Sequence, residues 1–499
     1  MSAIITEKFR KHNANQFHES FSEASASVYY LFIGKATAFT SSTTTGSDSS
    51  PPTPADAVGE THFYAWDSML AAKKITSSDI SFAITRRNFV NGTVYDMYKH
   101  NISSSNTTTS GASNLFDSSF YFMTSDFRVY KVLDNNGGTA FSGSEPTSES
   151  TSAFASGGYV LKYMYKISAS DAAKFNTTDF IPVDTDSTVS AAATDGAIES
   201  LVVTGGSGYT DGTYYAAVFG DGTNQGTSSG AVVRITVTSG SIQSFGLTAG
   251  TDTTINSAGA GYTFGTVNLG DDFIFSDSSL SSSTTLGSGG SGGAIEVIIS
   301  PKDGHGNDAT EELGGHYVMT ATTLSQAEGD DLTTANDFRQ VGLVVDPTNF
   351  GTSSVASATT ARQTLVVKGT TSGTFEADEQ IVQTSTGAVG KVVEYDSDRS
   401  LLYYQQERFS SFGTSATNSG FTAFSGTNLI TGQTSGATLT PSSTTETVTL
   451  LNSNTLTLTT GYANPELQPD SGDIIYLENR KPIQRDSDQT EDIKLIIEF

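Results

Sequence analysis

Short stretches in which apolar and polar positions alternate dominate this chain, and that spacing predicts strands joined by turns with few helices between them. Residues 5–23 carry the clearest helical period. Phe9, Phe17 and Phe21 fall there at multiples of four, which predicts a helix docked through that face. Ser27–Gly34 (SVYYLFIG) reads as a buried strand, and Ala36–Gly59, with Pro51, Pro52 and Pro54, as a long surface loop. A second amphipathic piece at Trp66–Lys74 precedes a strand at Ser81–Arg87. Further strands are expected at Ser119–Met123, Phe127–Leu133 and Tyr159–Ile167, separated by polar loops at 101–114 and 135–157.

From about Ala197 the pattern becomes repetitive. Ile198–Thr204 runs into Gly205-Gly206-Ser207-Gly208-Tyr209-Thr210, and Ile242–Thr248 leads on to Gly259-Ala260-Gly261-Tyr262-Thr263. Each is followed by a strand that opens on Gly-Ala, at Gly230–Val237 and Gly293–Ser300, so 197–300 reads as a duplicated β module. Glycine in such turns supplies positive φ, and the tyrosine after it is expected to pack over the turn. A second duplication spans 365–445, where Phe375, Ile381, Gly387 and Ala388 recur as Phe424, Ile430, Gly436 and Ala437 at one constant offset. The Ser/Gly run at 276–293 reads as a connector loop within the first duplication. Ten charged residues crowd Glu478–Phe499, which ends in the strand pattern Ile493–Phe499, and a terminal strand of that kind is expected to be tied into a sheet.

Composition sharpens this picture. At 499 residues the chain exceeds what one core organises, so two or more domains are expected. With 53 acidic against 26 basic residues the formal net charge is −27, and residues 186–300 hold a single basic group, Arg234. A phosphate-binding face needs clustered Lys or Arg, so neither nucleic acid nor an anionic membrane is an expected partner. Cysteine is absent, which removes disulfide and thiolate chemistry and leaves any zinc site to the six His. Residues 1–10 lack the apolar core of a signal peptide and no run of about 18 apolar residues occurs, so cytosolic synthesis without membrane insertion is expected.

Candidate chemistry is sparse. No hydrolase triad, Walker loop or metalloprotease helix has its required spacing, so no catalytic residue, metal or cofactor is expected. His305 and His316 flank Glu311 and Glu312, yet their separation fits no recurrent ligand pattern. Gly205–Asp211 (GGSGYTD) approaches a calcium-binding repeat but places Thr210 where the carboxylate belongs, and so reads as a turn. The paired acids Asp271-Asp272 and Asp330-Asp331 read as solvated loop charges, and the sequons at Asn91, Asn101 and Asn106 carry little weight without a secretory signal. Lys73, Lys74, Arg86, Arg87 and Lys99 form the densest basic stretch. Arg86 and Arg87, with Arg480 and Arg485, are candidates for protein-interface or internal ion pairs.

The segment Gly472–Ile483 (GDIIYLENRKPI), with Asp488-Gln489-Thr490-Glu491 and Ile493–Phe499, closely resembles the C-terminus of the baseplate wedge subunit of T-even-type myoviruses. Phe9-Arg10, Tyr29–Gly34, Ile84-Thr85-Arg86-Arg87, Tyr130–Asp134, Gly158-Tyr159-Val160 with Tyr163, Asp337–Gln340 and Asp346-Pro347 resemble further landmarks in the same order. The resemblance implies a virion protein of the tail baseplate, assembled in the host cytoplasm. It also implies a homodimer whose partners are other baseplate wedge proteins: the elongated wedge protein and the fibre- or pin-bearing rim proteins. The expected fold is mainly β: a multi-domain, β-sandwich-like core with inserted Gly-rich β-repeat modules and a few short helices. The core is then formed by 1–190, a return segment 301–350 and a C-terminal segment 446–499. The duplicated modules 197–300 and 365–445 are insertions, similar to those of marine cyanophage relatives. The expected function is structural: holding neighbouring proteins and transmitting the rearrangement that triggers sheath contraction. A receptor- or glycan-binding tail fibre or adhesin is the alternative, argued from the Gly-rich repeats and tyrosines. A polysaccharide-degrading tail enzyme using Asp271 or Asp330 is a third reading.

Overall fold

The computed structural model describes residues 6–23, 25–39, 46–55, 60–324, 337–408, 421–451, 453–485 and 489–499. Asp330, Asp331, Asp486 and Asp488 lie outside the described residues. The architecture is mainly β, with several sheets, one of them closed on itself, and a few short helices. The chain divides into two compact units, Met1–Gln16 with Ser81–Met319 and Ile496–Phe499, and Phe17–Ile80 with Thr320–Leu495.

In the first unit an antiparallel sheet runs in the order Tyr121–Met123, Arg128–Asp134, Tyr159–Lys166, Phe154–Ser156. Seven of the eight residues of Tyr159–Lys166 (YVLKYMYK) are buried, because both faces of that strand are covered. Its core is aromatic. Tyr95 packs 4.7 Å from Phe122, and Phe141 lies 5.1 Å from Phe89 and 5.3 Å from Tyr159 between ring centroids. Such rings contribute both area and edge-to-face attraction.

The first duplication builds one shared sheet. Its order is Ser241–Ile242, Ala231–Thr238, Gly212–Gly220, Gly265–Val267, Ala294–Ile299, Ile198–Thr204, with Thr254–Ala258 also paired to Ala231–Thr238. The two Gly-Ala strands therefore serve a common core, in which Val233, Ile235 and Val297 pack together. Both tyrosines do sit over their turns. The Tyr209 hydroxyl accepts from Gly293 N at 2.9 Å, and the Tyr262 hydroxyl accepts from Ala231 N at 3.1 Å. Gly206 (φ 62°) and Gly259 (φ 61°) take the left-handed conformation at matching places in the two copies.

In the second unit a five-stranded antiparallel sheet runs Thr360–Arg362, Met69–Ile75, Tyr29–Gly34, Phe338–Val345, Asp473–Ile483. The second duplication forms a barrel. Leu365–Ser372, Leu401–Gln405, Ala388–Asp396, Gln380–Gln383, Ile430–Gly432 and Thr438–Pro441 pair in that order and return to Leu365–Ser372, while Tyr462–Ala463 adds on at Leu365–Ser372. The repeated anchors have matching roles. Ile381 pairs with Gly390 as Ile430 pairs with Leu439, and Val382 pairs with Val389 as Thr431 pairs with Thr438. Closing the sheet leaves these hairpins no free edge within the ring.

Two expectations are corrected. Trp66–Lys74 is not one amphipathic element: the helix Glu60–Ser68 carries Trp66, and Met69–Ile75 is a strand. Met69, Leu70, Ala71 and Ala72 are all buried, and a segment covered all round obeys no single period. The helix near the N-terminus, Glu7–Glu19, leaves Phe9 54% exposed and buries Lys11 and Ala14. Lys11 covers the Phe116 ring at 4.4 Å and pairs with Glu311 at 3.5 Å. Phe21 lies beyond the helix end and stacks on Tyr29 at 4.1 Å.

Candidate functional site

The four arginines singled out by sequence occupy different surroundings. Arg86 donates from Nε to Asn88 Oδ1 at 2.9 Å and from an Nη to the Thr177 carbonyl at 2.7 Å. Arg87 donates to the Phe116 carbonyl at 3.1 Å, with its guanidinium 5.4 Å from the Tyr121 ring centroid. Arg485 is an internal pair. Its Nε donates to Glu491 Oε2 at 2.9 Å, with side chains only 1% and 8% exposed. Arg480 meets Glu478 at 3.0 Å with both side chains more than a third exposed.

Arg480 stands on Asp473–Ile483, the last strand of its sheet. This 11-residue strand is bonded to Phe338–Val345 on one side, and among the described residues no strand pairs with its other side. Ile475, 46% exposed, falls where the register slips by one residue, a bulge that twists the edge. Pro482 lacks an N–H, and Arg480 and Lys481 add charge, so the far half of the strand is guarded against indiscriminate pairing. The near half, Asp473–Leu477, has the bulge at Ile475 and the exposed charge of Asp473 but no proline. The terminal strand, Glu491–Glu498, lies beside Tyr317–Leu324, as the expected tethering of the tail requires.

The strongest electrostatic feature is buried in the first unit. Lys131, at an inward position of Arg128–Asp134, donates to Glu312 Oε2 at 2.8 Å and to His305 Nδ1 at 2.9 Å, and lies 3.9 Å from the Tyr98 ring centroid. Glu312 stands on the short helix Ala309–Leu313, whose first turn is capped by Asp308, and its other oxygen accepts from Gly306 N at 2.6 Å. Lys131 and His305 are 0% and Glu312 4% exposed. Burial pushes the Glu312 carboxyl up, but the Lys131 ammonium outweighs it and, joined by His305 once that ring is protonated, holds it down at about 2. Burial, reinforced by the Lys131 charge, lowers His305 to about 4.

The residues weighed as a metal set are thus dispersed among ion pairs. An ammonium group serves His305 and Glu312, Glu311 turns to Lys11, and His316 lies 3.6 Å from Glu7 and 3.3 Å from Arg10. Among the described residues no three His, Cys, Asp or Glu side chains gather as a metal site. Asp271 and Asp272 are exposed on one short turn, Asp271–Phe273, and Asp211 accepts from Gly240 N at 2.8 Å. The partnership of Lys131 with Glu312 has no signal in sequence spacing. The one hint is a lysine inside the apolar run Val129–Leu133.

In the second unit Arg408, also unanticipated, holds Asp67 through two nitrogens at 2.7 and 3.0 Å and Asp470 at 2.7 Å. The fork borders a cleft of about 240 Å³ lined by Trp66, Tyr404, Phe424 and Tyr462. Among the described residues no helix is long and apolar enough to cross a membrane.

Among the described residues the protein is mainly β, with a long edge strand that carries the exposed Arg480–Glu478 pair. Residues 442–499 match the family model Phage-Gp8, described as Bacteriophage T4, Gp8, which supports a T4-like baseplate wedge protein with a structural role. No curated protein matches the chain.

Proposed function

We propose that this chain is a structural subunit of a phage tail baseplate wedge that holds neighbouring baseplate proteins and transmits the rearrangement preceding sheath contraction. The observation that carries the reading is the family match over 442–499, a segment that includes the long edge strand Asp473–Ile483. An edge strand satisfies a partner's backbone groups without any reactive residue, and interfaces of this kind can repack between two states. In this reading the protein is a homodimer in the virion tail baseplate, assembled in the host cytoplasm. It contacts the elongated wedge protein and the fibre- or pin-bearing rim proteins. The segments 1–190, 301–350 and 446–499 make the wedge core, and 197–300 and 365–445 are added modules. Arg480 is the interface candidate best supported by its exposure, with Arg86 and Arg87 after it, while the pairing of Arg485 favours an internal role.

The test is co-purification of the full chain with the other wedge proteins of the same phage, alongside a virion made without this gene. Wedge complexes that contain the chain, and tails that lack baseplates without it, are expected. Normal baseplates in its absence overturn the reading.

A further inference from the structure

Residues 301–313 follow strand Ala294–Ile299 and comprise a loop and the helix Ala309–Leu313, whose Ala309 and Leu313 belong to the aromatic core of the first unit. The buried part of this segment's polar attachment is the cluster, since His305 and Glu312 come from the segment and Lys131 from the sheet; nearer the surface Glu311 pairs with Lys11 at 3.5 Å, Asn307 Oδ1 accepts from the Ser190 hydroxyl at 3.3 Å and Asp303 N donates to Asp195 at 2.9 Å. We propose that the cluster is an acid-sensitive latch, in which neutral His305 helps to fasten residues 301–313 to the core and its protonation releases them.

The chemistry follows from the hydrogen positions. Lys131 Nζ can only donate, so His305 Nδ1 is the acceptor at 2.9 Å and the ring hydrogen sits on Nε2, which is buried without a partner. A second ring proton must go on Nδ1. It removes the acceptor that Lys131 uses and sets two cations side by side at zero exposure. The nearest anion is Glu312, whose Oε2 is 3.8 Å from His305 Nδ1 and already bonded to Lys131. The other groups around the ring do not restore balance. Tyr98 packs edge-on at 5.0 Å, and the more distant Lys162 and Glu199 pair with each other at 3.4 Å. Two buried cations would then share one carboxylate, whereas an opened segment hydrates the imidazolium freely.

The sign is that of a base whose folded pKa is depressed. His305 falls from 6.5 to about 4 in the folded state, so the latch holds fully above pH 6.5 and weakens as pH falls towards 4. One proton taken up on opening raises the opening equilibrium up to about tenfold per pH unit across that window.

The experiment is amide hydrogen exchange by mass spectrometry on the full chain between pH 7.5 and 4.5, corrected for the intrinsic pH dependence of exchange. Peptides covering 301–313 are expected to lose protection by about tenfold or more relative to those covering 121–133 and 159–166. His305→Asn, which keeps an acceptor near the Nδ1 position but cannot titrate, is expected to flatten that profile. Should this variant lack native protection at pH 7.5, His305→Gln takes its place. Unchanged relative protection in the wild type, or the same acid profile in a folded variant, overturns the proposal.

Discussion

Lys131 and Arg480 mark the two extremes of charge in this protein. Lys131 lies within an apolar strand at zero exposure and is held by Glu312, so removing one partner strands the other. Glu312→Gln is expected to destabilise the first unit by about 3–5 kcal/mol, measured by denaturant unfolding of the full chain. The double change Lys131→Met with Glu312→Leu is expected to recover most of that loss, because no unpaired charge remains. Glu312 adds its own pH dependence. A carboxyl held at about 2 in the folded state, against 4.5 ordinarily, gives stability that is complete above pH 4.5 and lost as pH falls towards 2. Arg480→Ala, in an exposed pair, is expected to change stability by less than about 0.5 kcal/mol. Arg485→Ala, in a pair 1% and 8% exposed, is expected to cost about 3 kcal/mol or more in the same measurement. A shift of that size for Arg480 would show that its pair is structural and remove it from the interface candidates.

At the level of elements, the barrel offers the sharpest test of what a repeat means physically. Ile381 and Ile430 are both 0% exposed, each on the first strand of a hairpin of the same register. Ile381→Ala and Ile430→Ala are expected to cost about 2–5 kcal/mol each and to agree within about 1 kcal/mol, the cavity term depending on how similarly the two sites relax. Gly387 (φ 74°) has open space where a Cβ would go, so Gly387→Ala pays backbone strain alone, about 1–2 kcal/mol. Gly206 differs. A Cβ there would lie 2.4 Å from Gly293 N, so Gly206→Ala is expected to cost more than Gly387→Ala in the same denaturation series. The repeats were legible because turns demand particular residues: glycine at positive φ in both, Gly206 with Gly259 and Gly387 with Gly436, and in the first a tyrosine over each turn. The break between the helix at Trp66 and the strand at Met69 was not legible, since Met69-Leu70-Ala71-Ala72 suits either conformation and only its neighbours decide.

Over the whole molecule, two compact units share one chain, and the single tryptophan belongs to the second. Trp66, 2% exposed, therefore reports on that unit alone, whereas circular dichroism reports on both. Denaturation curves from the two probes are expected to be non-coincident, and Glu312→Gln is expected to shift the circular dichroism curve while leaving the tryptophan midpoint in place. Coincident curves that move together would mean that the units unfold as one.

The fold class, the two duplications, the turn glycines and the strand-ending tail could be read from the sequence, because periodicity and turn chemistry are local properties, fixed within a few residues. The sequence also carried the resemblance of its closing segment and the scarcity of catalytic spacing. Only the tertiary structure decided that the first duplication makes one sheet and the second a closed ring. It alone paired Lys131 with Glu312 and Arg408 with Asp67, and set Arg485 inside but Arg480 outside. Such pairings join residues up to hundreds of positions apart, and what selects them is the cost of leaving a buried charge or an open strand edge unsatisfied. That cost has no value until the chain has folded around it.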